Sequence, residues 1–202
     1  LLGGMGIARP NQVSSADITY VPMARGFLYV VAIMDWHSRY VVARNLPNTL
    51  DANFCVETLA KALNKGRPEV FNTDQEGQFT GEAFTGLLEQ NGVKISMDGK
   101  GRYSDNIFIE RLWRTVKYEE VYLKAYSGGR EAKAGIDAYF RFYNTQRPHQ
   151  ALGYRTPDEV FHGDSAPSDD QSIERRMSPV KASVNLGKTA ELSLNIATIL
   201  SN

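Results

Sequence analysis

Three carboxylates stand out for where the surrounding pattern places them: Asp17 at the head of an apolar, β-branched run, Asp74 at the end of another, and Glu110 early in a helical segment. Singly, each has an ordinary reading as a turn, cap or solvated helix residue. Jointly they fit an all-oxygen site. Carboxylates converging in a partly desolvated cleft repel one another unless something positive sits among them. Oxygen-only ligands favour magnesium or manganese over zinc or copper. Two such ions, about 3.5 to 4 Å apart, hold the attacking and leaving oxygens of an in-line phosphoryl displacement. Around Glu110, the helical period puts Asn106, Glu110, Arg114 and Lys117 on one stripe and Ile109, Leu112 and Val116 on another. Lys117 follows Glu110 by about 700° of rotation and about 10 Å of rise, so one face offers a metal ligand and a cation for a phosphate. The alternative is an amphipathic helix with a Glu110–Arg114 pair on its wet side. Glu76, close behind Asp74, is a candidate fourth acid. Asp35 and His37 read as turn residues, and Tyr139, Phe140, Phe142 and Tyr143 read as core in preference to a base-stacking platform.

The elements that must position these groups follow from periodicity and punctuation. Asp17–Val21, Phe27–Met34 and Tyr40–Leu46 are rich in Val, Ile, Tyr and Phe and are separated by turn residues, which predicts an antiparallel meander. A helix is expected over about Ala52–Lys65, a buried strand over Glu69–Thr73, and a helix from Thr80-Gly81 to Asn91. Then follow a strand over Val93–Met97 and long helices over Asp105–Leu123 and Gly129–Thr145. This order predicts an α/β fold: a mixed five-stranded sheet, three antiparallel strands and then two parallel additions, with helices on both faces. Residues 1–16 read as a lead-in, 17–164 as the core, and 165–202 as a flexible tail in which Ala190–Leu200 is a candidate amphipathic element.

Composition narrows the class. The 202 residues carry 23 basic and 23 acidic side chains, three His and one Cys. The balance hides a polarity: residues 1–93 hold seven basic and nine acidic groups, whereas 94–155 hold twelve and seven. That polarity suits a carboxylate site beside a phosphate-facing surface, though uneven charge on a solvated surface accounts for it equally. Cys55 with His37, His149 and His162 is too sparse for zinc, and a lone cysteine suits a reducing compartment. The longest apolar run, Phe27–Met34, is too short to span a membrane and no leader precedes it, so a soluble, cytoplasmic protein is expected.

The motifs Asp17-Ile18-Thr19-Tyr20, Asn72-Thr73-Asp74-Gln75 and Asp105-Asn106 with Glu110-Arg111, with 35 residues between the second and third acids, resemble the D-D-35-E integrase core. Lys117 adds to the match. The subgroup it is most similar to is the bacterial insertion-sequence transposases, whose cores end in Tyr143-Asn144-x-x-Arg147-Pro148-His149-x-x-Leu152 and Thr156-Pro157. The similarity covers about residues 8–162. It implies a ribonuclease-H-like fold and a polynucleotidyl transferase using two magnesium (or manganese) ions, with Asp17, Asp74 and Glu110 as ligands. Lys117, Asn106 and Arg114 would contact or support DNA, and the protein would act as a homo-oligomer on the ends of a mobile element and on target DNA. A helix-turn-helix region expected upstream in such proteins is missing. Two departures flank the site: Ser14 where those relatives carry Trp, and Glu76-Gly77 where they carry Gly-Ser. Competing readings are a non-catalytic remnant that binds DNA or associates with full-length transposase, and a sequence-blind nuclease of the same fold.

Overall fold

The computed structural model describes residues 2, 5–49, 52–97 and 107–163. Five strands and the helices among them form one sandwich: β1 (Val13–Pro22), β2 (Phe27–Asp35), β3 (Val41–Asn45), α1 (Ala52–Leu63), β4 (Val70–Thr73), α2 (Gly77–Thr80), α3 (Glu82–Gln90) and β5 (Lys94–Met97). They are followed by α4 (Ile107–Val116), a π-helical turn (Lys117–Val121), α5 (Tyr122–Lys124), α6 (Gly129–Thr145), a 3₁₀ turn (Gln150–Leu152) and α7 (Pro157–His162). The sheet order is β3-β2-β1-β4-β5. The β1–β2 and β2–β3 pairs are antiparallel; β1–β4 and β4–β5 are parallel. This is the mixed sheet expected from the element order.

Alternation along the central strands sends side chains to two cores. Val21, Val30, Ala32 and Met34 pack with Ile109, Leu112 and Val116 of α4 and Ile136 and Phe140 of α6 on one face. Ile18, Val31, Ile33 and Phe71 pack with Phe54 and Leu59 of α1 and Phe84 and Leu88 of α3 on the other. Each buried Leu, Ile or Phe removes enough apolar surface to be worth about 1.5–3 kcal/mol, so the helix faces are set by burial. Tyr139, Phe140 and Tyr143 are core residues, as expected, while Phe142 of the same helix is 41% exposed.

Two expectations are corrected. The first strand starts at Val13, four residues before Asp17, and Val13 to Ala16 are all buried. Two serines in succession read as a loop, yet their small side chains fit beneath packed neighbours, and Trp36 Nε1 donates to Ser15 Oγ at 2.8 Å. The parallel pairing to β4 runs through Val13, Ser14 and Ser15, so the stretch read as a lead-in is what holds β4 beside β1. The helix expected over Asp105–Leu123 is not continuous α-helix: a π-helical turn follows Val116. There, buried Glu120 accepts from Tyr126 Oη at 2.6 Å, and Glu119 accepts from Tyr139 Oη at 2.7 Å. Widening the turn lets consecutive glutamates reach separate partners.

No helix among the described residues is long and apolar enough to cross a membrane. The tail, the candidate element at Ala190–Leu200, and Asn106 lie outside the described residues.

Candidate active site

Asp17 and Asp74 meet at the place where the β1–β4 ladder runs out. Ser14 pairs with Phe71 and Ser15 with Asn72; extending this parallel register by two residues sets Asp17 across from Asp74 at the end of β4. Neighbouring strands are about 4.8 Å apart, so the two acids share one notch. Beyond it β1 runs on without a strand partner on that side among the described residues.

The helix α4 is pinned to the same notch. Trp113 is buried, and its Nε1 donates to Asp17 Oδ2 at 2.8 Å, while the Ile18 amide donates to Asp17 Oδ1, also at 2.8 Å. Trp113 was not among the candidates read from the sequence. Its signal was there: an indole on the buried side of an amphipathic helix needs an acceptor for its N–H, and a carboxylate supplies a strong one. Glu110 sits three residues before Trp113, a neighbouring position on the helix surface, and is exposed.

The electrostatics mark a site in want of positive charge. Burial pushes Asp17 up to about 6, against the pull of its two hydrogen bonds, and the like charges of Asp74 and Glu76 add to the rise. Asp74 is raised, chiefly by burial, in spite of the hydrogen bond it accepts from the Glu76 amide at 3.1 Å. Glu76 is raised by partial desolvation and by Asp74. Glu76 thus stands close enough to Asp74 to feel its charge.

Among the described residues, no three His, Cys, Asp or Glu side chains stand close enough to hold one metal ion. The fold thus brings Asp17, Asp74 and Glu76 into one electrostatic neighbourhood, while Glu110 stays out in solvent on the docked helix. Repulsion explains that arrangement: a further carboxylate gains nothing by joining two uncompensated ones. The donor set fits a hard divalent cation, being all carboxylate oxygen, with one member already driven toward protonation by its surroundings. Lys117 opens the π-helical turn and places Nζ 5.2 Å from the ring centroid of Tyr20, three residues beyond Asp17 on β1. Arg114 is exposed.

The segment from Tyr143 to Thr156 braces the fold. Arg147 grips Glu119 through Nε at 2.8 Å and Nη2 at 2.6 Å, and His149 packs edge-on to Tyr143. Asn144 Oδ1 accepts from the Val41 amide and its Nδ2 donates to the Val41 carbonyl, tying α6 to the edge strand β3. Thr156 caps α7 in a reciprocal pair with Glu159.

Comparison with known proteins agrees with this architecture. Two family models, both described as integrase core domain, match residues 7–103 and 91–157. Together the two models cover residues 7–157, and over that stretch the chain is similar to integrase core domains. The transposase for insertion sequence element IS904 of Lactococcus lactis is 30% identical over 74% of this chain and 61% of that protein. The insertion element IS600 uncharacterized 31 kDa protein of Shigella sonnei is 33% identical over 73% of this chain and 56% of its own length. The chain therefore spans a little over half the length of the curated relatives it matches. Among solved structures, the HTLV-2 integrase catalytic core domain in complex with magnesium superposes with a TM-score of 0.63 at 15% identity, covering 76% of this chain and 98% of that one. The catalytic core domain of BIV integrase superposes with a TM-score of 0.61 at 13% identity, covering 83% and 99%. The ribonuclease-H-like integrase fold is thus shared across retroviral cores and this chain.

Proposed function

We propose that this chain is the catalytic core of an insertion-sequence transposase, nicking DNA at the 3′ ends of a mobile element and joining those ends to target DNA. The observation that carries the reading is the notch itself: Asp17, raised to about 6, faces Asp74 across parallel strands while Trp113 pins the Glu110 helix to Asp17. Asp17, Asp74 and Glu110 are the groups that would hold two magnesium or manganese ions, Glu110 swinging in from solvent once positive charge is present. Bound there, the ions would supply charge neutralisation for an in-line displacement at phosphorus. The protein's own side chains do the rest. Trp113 fixes the orientation of the Asp17 carboxylate, and Lys117 and Arg114, farther along the same helix, are placed for backbone phosphates of the bound DNA. Water attacks phosphorus in the nicking step and a DNA 3′-hydroxyl attacks in the joining step; in each the opposite oxygen leaves. The relatives are insertion-element proteins and one solved core carries magnesium, which supports both substrate and cofactor. Assembly as an oligomer on DNA belongs to the same proposal.

A strand-transfer assay on duplexes ending in candidate element termini tests it. Joined product with magnesium, none with calcium, and none from Asp74→Asn or Glu110→Gln at unchanged melting temperature is the expected result. Metal-independent product, or product that survives both substitutions, overturns it.

A further inference from the structure

The flank of α4 that faces away from the carboxylates carries a second concentration of charge, opposite in sign. Phe108, Arg111 and Thr115 line a cavity of about 200 Å³ together with Arg39, Arg147 and His149. An adjoining cavity of about 600 Å³ shares Arg39 and Phe108 and adds His37 and Arg155. Among the described residues, no Asp or Glu lines either one. On the helical wheel this flank lies roughly 140° around from the Glu110, Arg114 and Lys117 stripe.

Arg39 is built into place. It has a left-handed backbone, φ 63°, at the end of a turn whose buried Asp35 accepts from the Asn11 amide, the Ser38 amide and the Ser38 hydroxyl at 2.7–2.8 Å. Its guanidinium carbon lies over the Phe108 ring, 3.4 Å from the centroid, and the group donates to the Trp36 carbonyl. A non-glycine residue held at positive φ by a fully bonded turn is conformational strain that the surroundings maintain. Arg147, held by Glu119, is a wall whose charge is already offset. Arg39, Arg111 and Arg155 form no ion pair among the described residues. Burial, with Arg147 and Arg39 close by, lowers His149 to about 4, and its Nε2 lies 3.4 Å from Arg147 Nη1.

We propose that this groove binds the phosphodiester backbone of duplex DNA, at a place separate from the carboxylate notch. Three guanidiniums without a salt bridge among the described residues, distributed over two adjoining cavities, suit successive phosphates along a strand better than one small anion, which would need donors converging on a point. The inference deepens the transposase reading and rests on it for the identity of the polyanion. DNA then borders α4 on two flanks: the stripe with Glu110 meets the strand being cut, and the Arg39 groove holds a further stretch of duplex.

The test is fluorescence anisotropy of a labelled 30-base-pair duplex with the 202-residue chain in EDTA, across a salt series. Arg111→Gln/Arg155→Gln removes two exposed charges; Arg39→Asn removes the third with a residue that tolerates positive φ. At about 100 mM salt the double variant is expected to bind about 5- to 10-fold more weakly, with the slope of log Kd against log salt lowered by about 1 per arginine. Arg39→Asn should weaken binding in the same direction. Arg141→Gln, an exposed arginine of α6 outside the groove, should bind as the parent does. Wild-type affinity in both groove variants overturns the proposal. So does an equal loss in Arg141→Gln, or a loss accompanied by a change in oligomeric mass, which would make the groove a contact between copies. Failure of every strand-transfer assay alongside a loss confined to the groove variants would sink the catalytic reading and leave the groove standing.

Discussion

The carboxylate notch and the Arg147 brace both come from short sequence motifs, yet the fold treats them in opposite ways. At the brace charge is compensated: Arg147 closes a two-point grip on Glu119, which also takes the Tyr139 hydroxyl, and the Arg147 hydrogen bond holds Glu119 below the usual carboxylate range. At the notch Asp17 is raised to about 6 with Asp74 and Glu76 pressing on it, and the described chain brings no cation to them. The fold compensates charge at Glu119 and leaves Asp17, Asp74 and Glu76 without an ion pair among the described residues. Under the proposed function, that difference is what separates a structural motif from a functional one.

The largest expected effect attacks the notch. Asp74→Asn and Glu110→Gln should each lower joining by at least about 10³-fold, on the order of 4 kcal/mol of barrier, with little change in melting temperature. A melting loss matching the activity loss would turn the notch into a structural element like the brace. Next in size is a pH effect of opposite sign to ordinary acid denaturation. Asp17 holds its proton more tightly folded than unfolded, so its contribution to stability is full below pH 3.8 and is lost as pH rises through about 6. In EDTA, Asp17→Asn should therefore overtake the parent in stability between pH 4 and 7, by on the order of 2 kcal/mol, and added magnesium should narrow the gap. Chemical denaturation at several pH values measures this; a gap independent of pH breaks the comparison from the notch side.

At the brace, Arg147→Met should cost about 1–2 kcal/mol, because it strips a two-point partner from a half-exposed carboxylate. A double-mutant cycle with Glu119→Gln should return most of that as coupling; additive losses would show that the pair does not act as a unit. The smallest effect sharpens the link between notch and helix. Trp113→Phe keeps the ring and removes the donor to Asp17, and should cost about 1 kcal/mol of stability, with joining reduced more than that loss explains. Unchanged joining would mean that orientation of Asp17 does not depend on the indole.

Much of the frame was legible because it depends on local periodicity. β2, β3, α1, α3, β5 and α6 fall within a few residues of their expected bounds, since apolar residues at period 2 or 3.6 must face a core. The misses have long-range causes. Val13-Ser14-Ser15-Ala16 has no strand signature, and is a strand because β2 and β4 pair on either side of it. The π-helical turn at Lys117–Val121 goes with a partner on α6, Tyr139, that lies twenty residues from Glu119 and outside a local window.

The sequence by itself determined which groups the protein can bring to a site: acids at the ends of two strands and on one helix face, with arginines concentrated downstream. Residue type, alternation and helical spacing are properties of short stretches, and short stretches carry them in full. Tertiary structure alone decided that β4 inserts beside β1, so that Asp17 and Asp74 share a notch, that Trp113 moors α4 there, and that Arg39 and Arg155 open onto cavities sharing Phe108. Those relations join residues tens of positions apart, and such proximity is set by how sheets and helices bury their common faces.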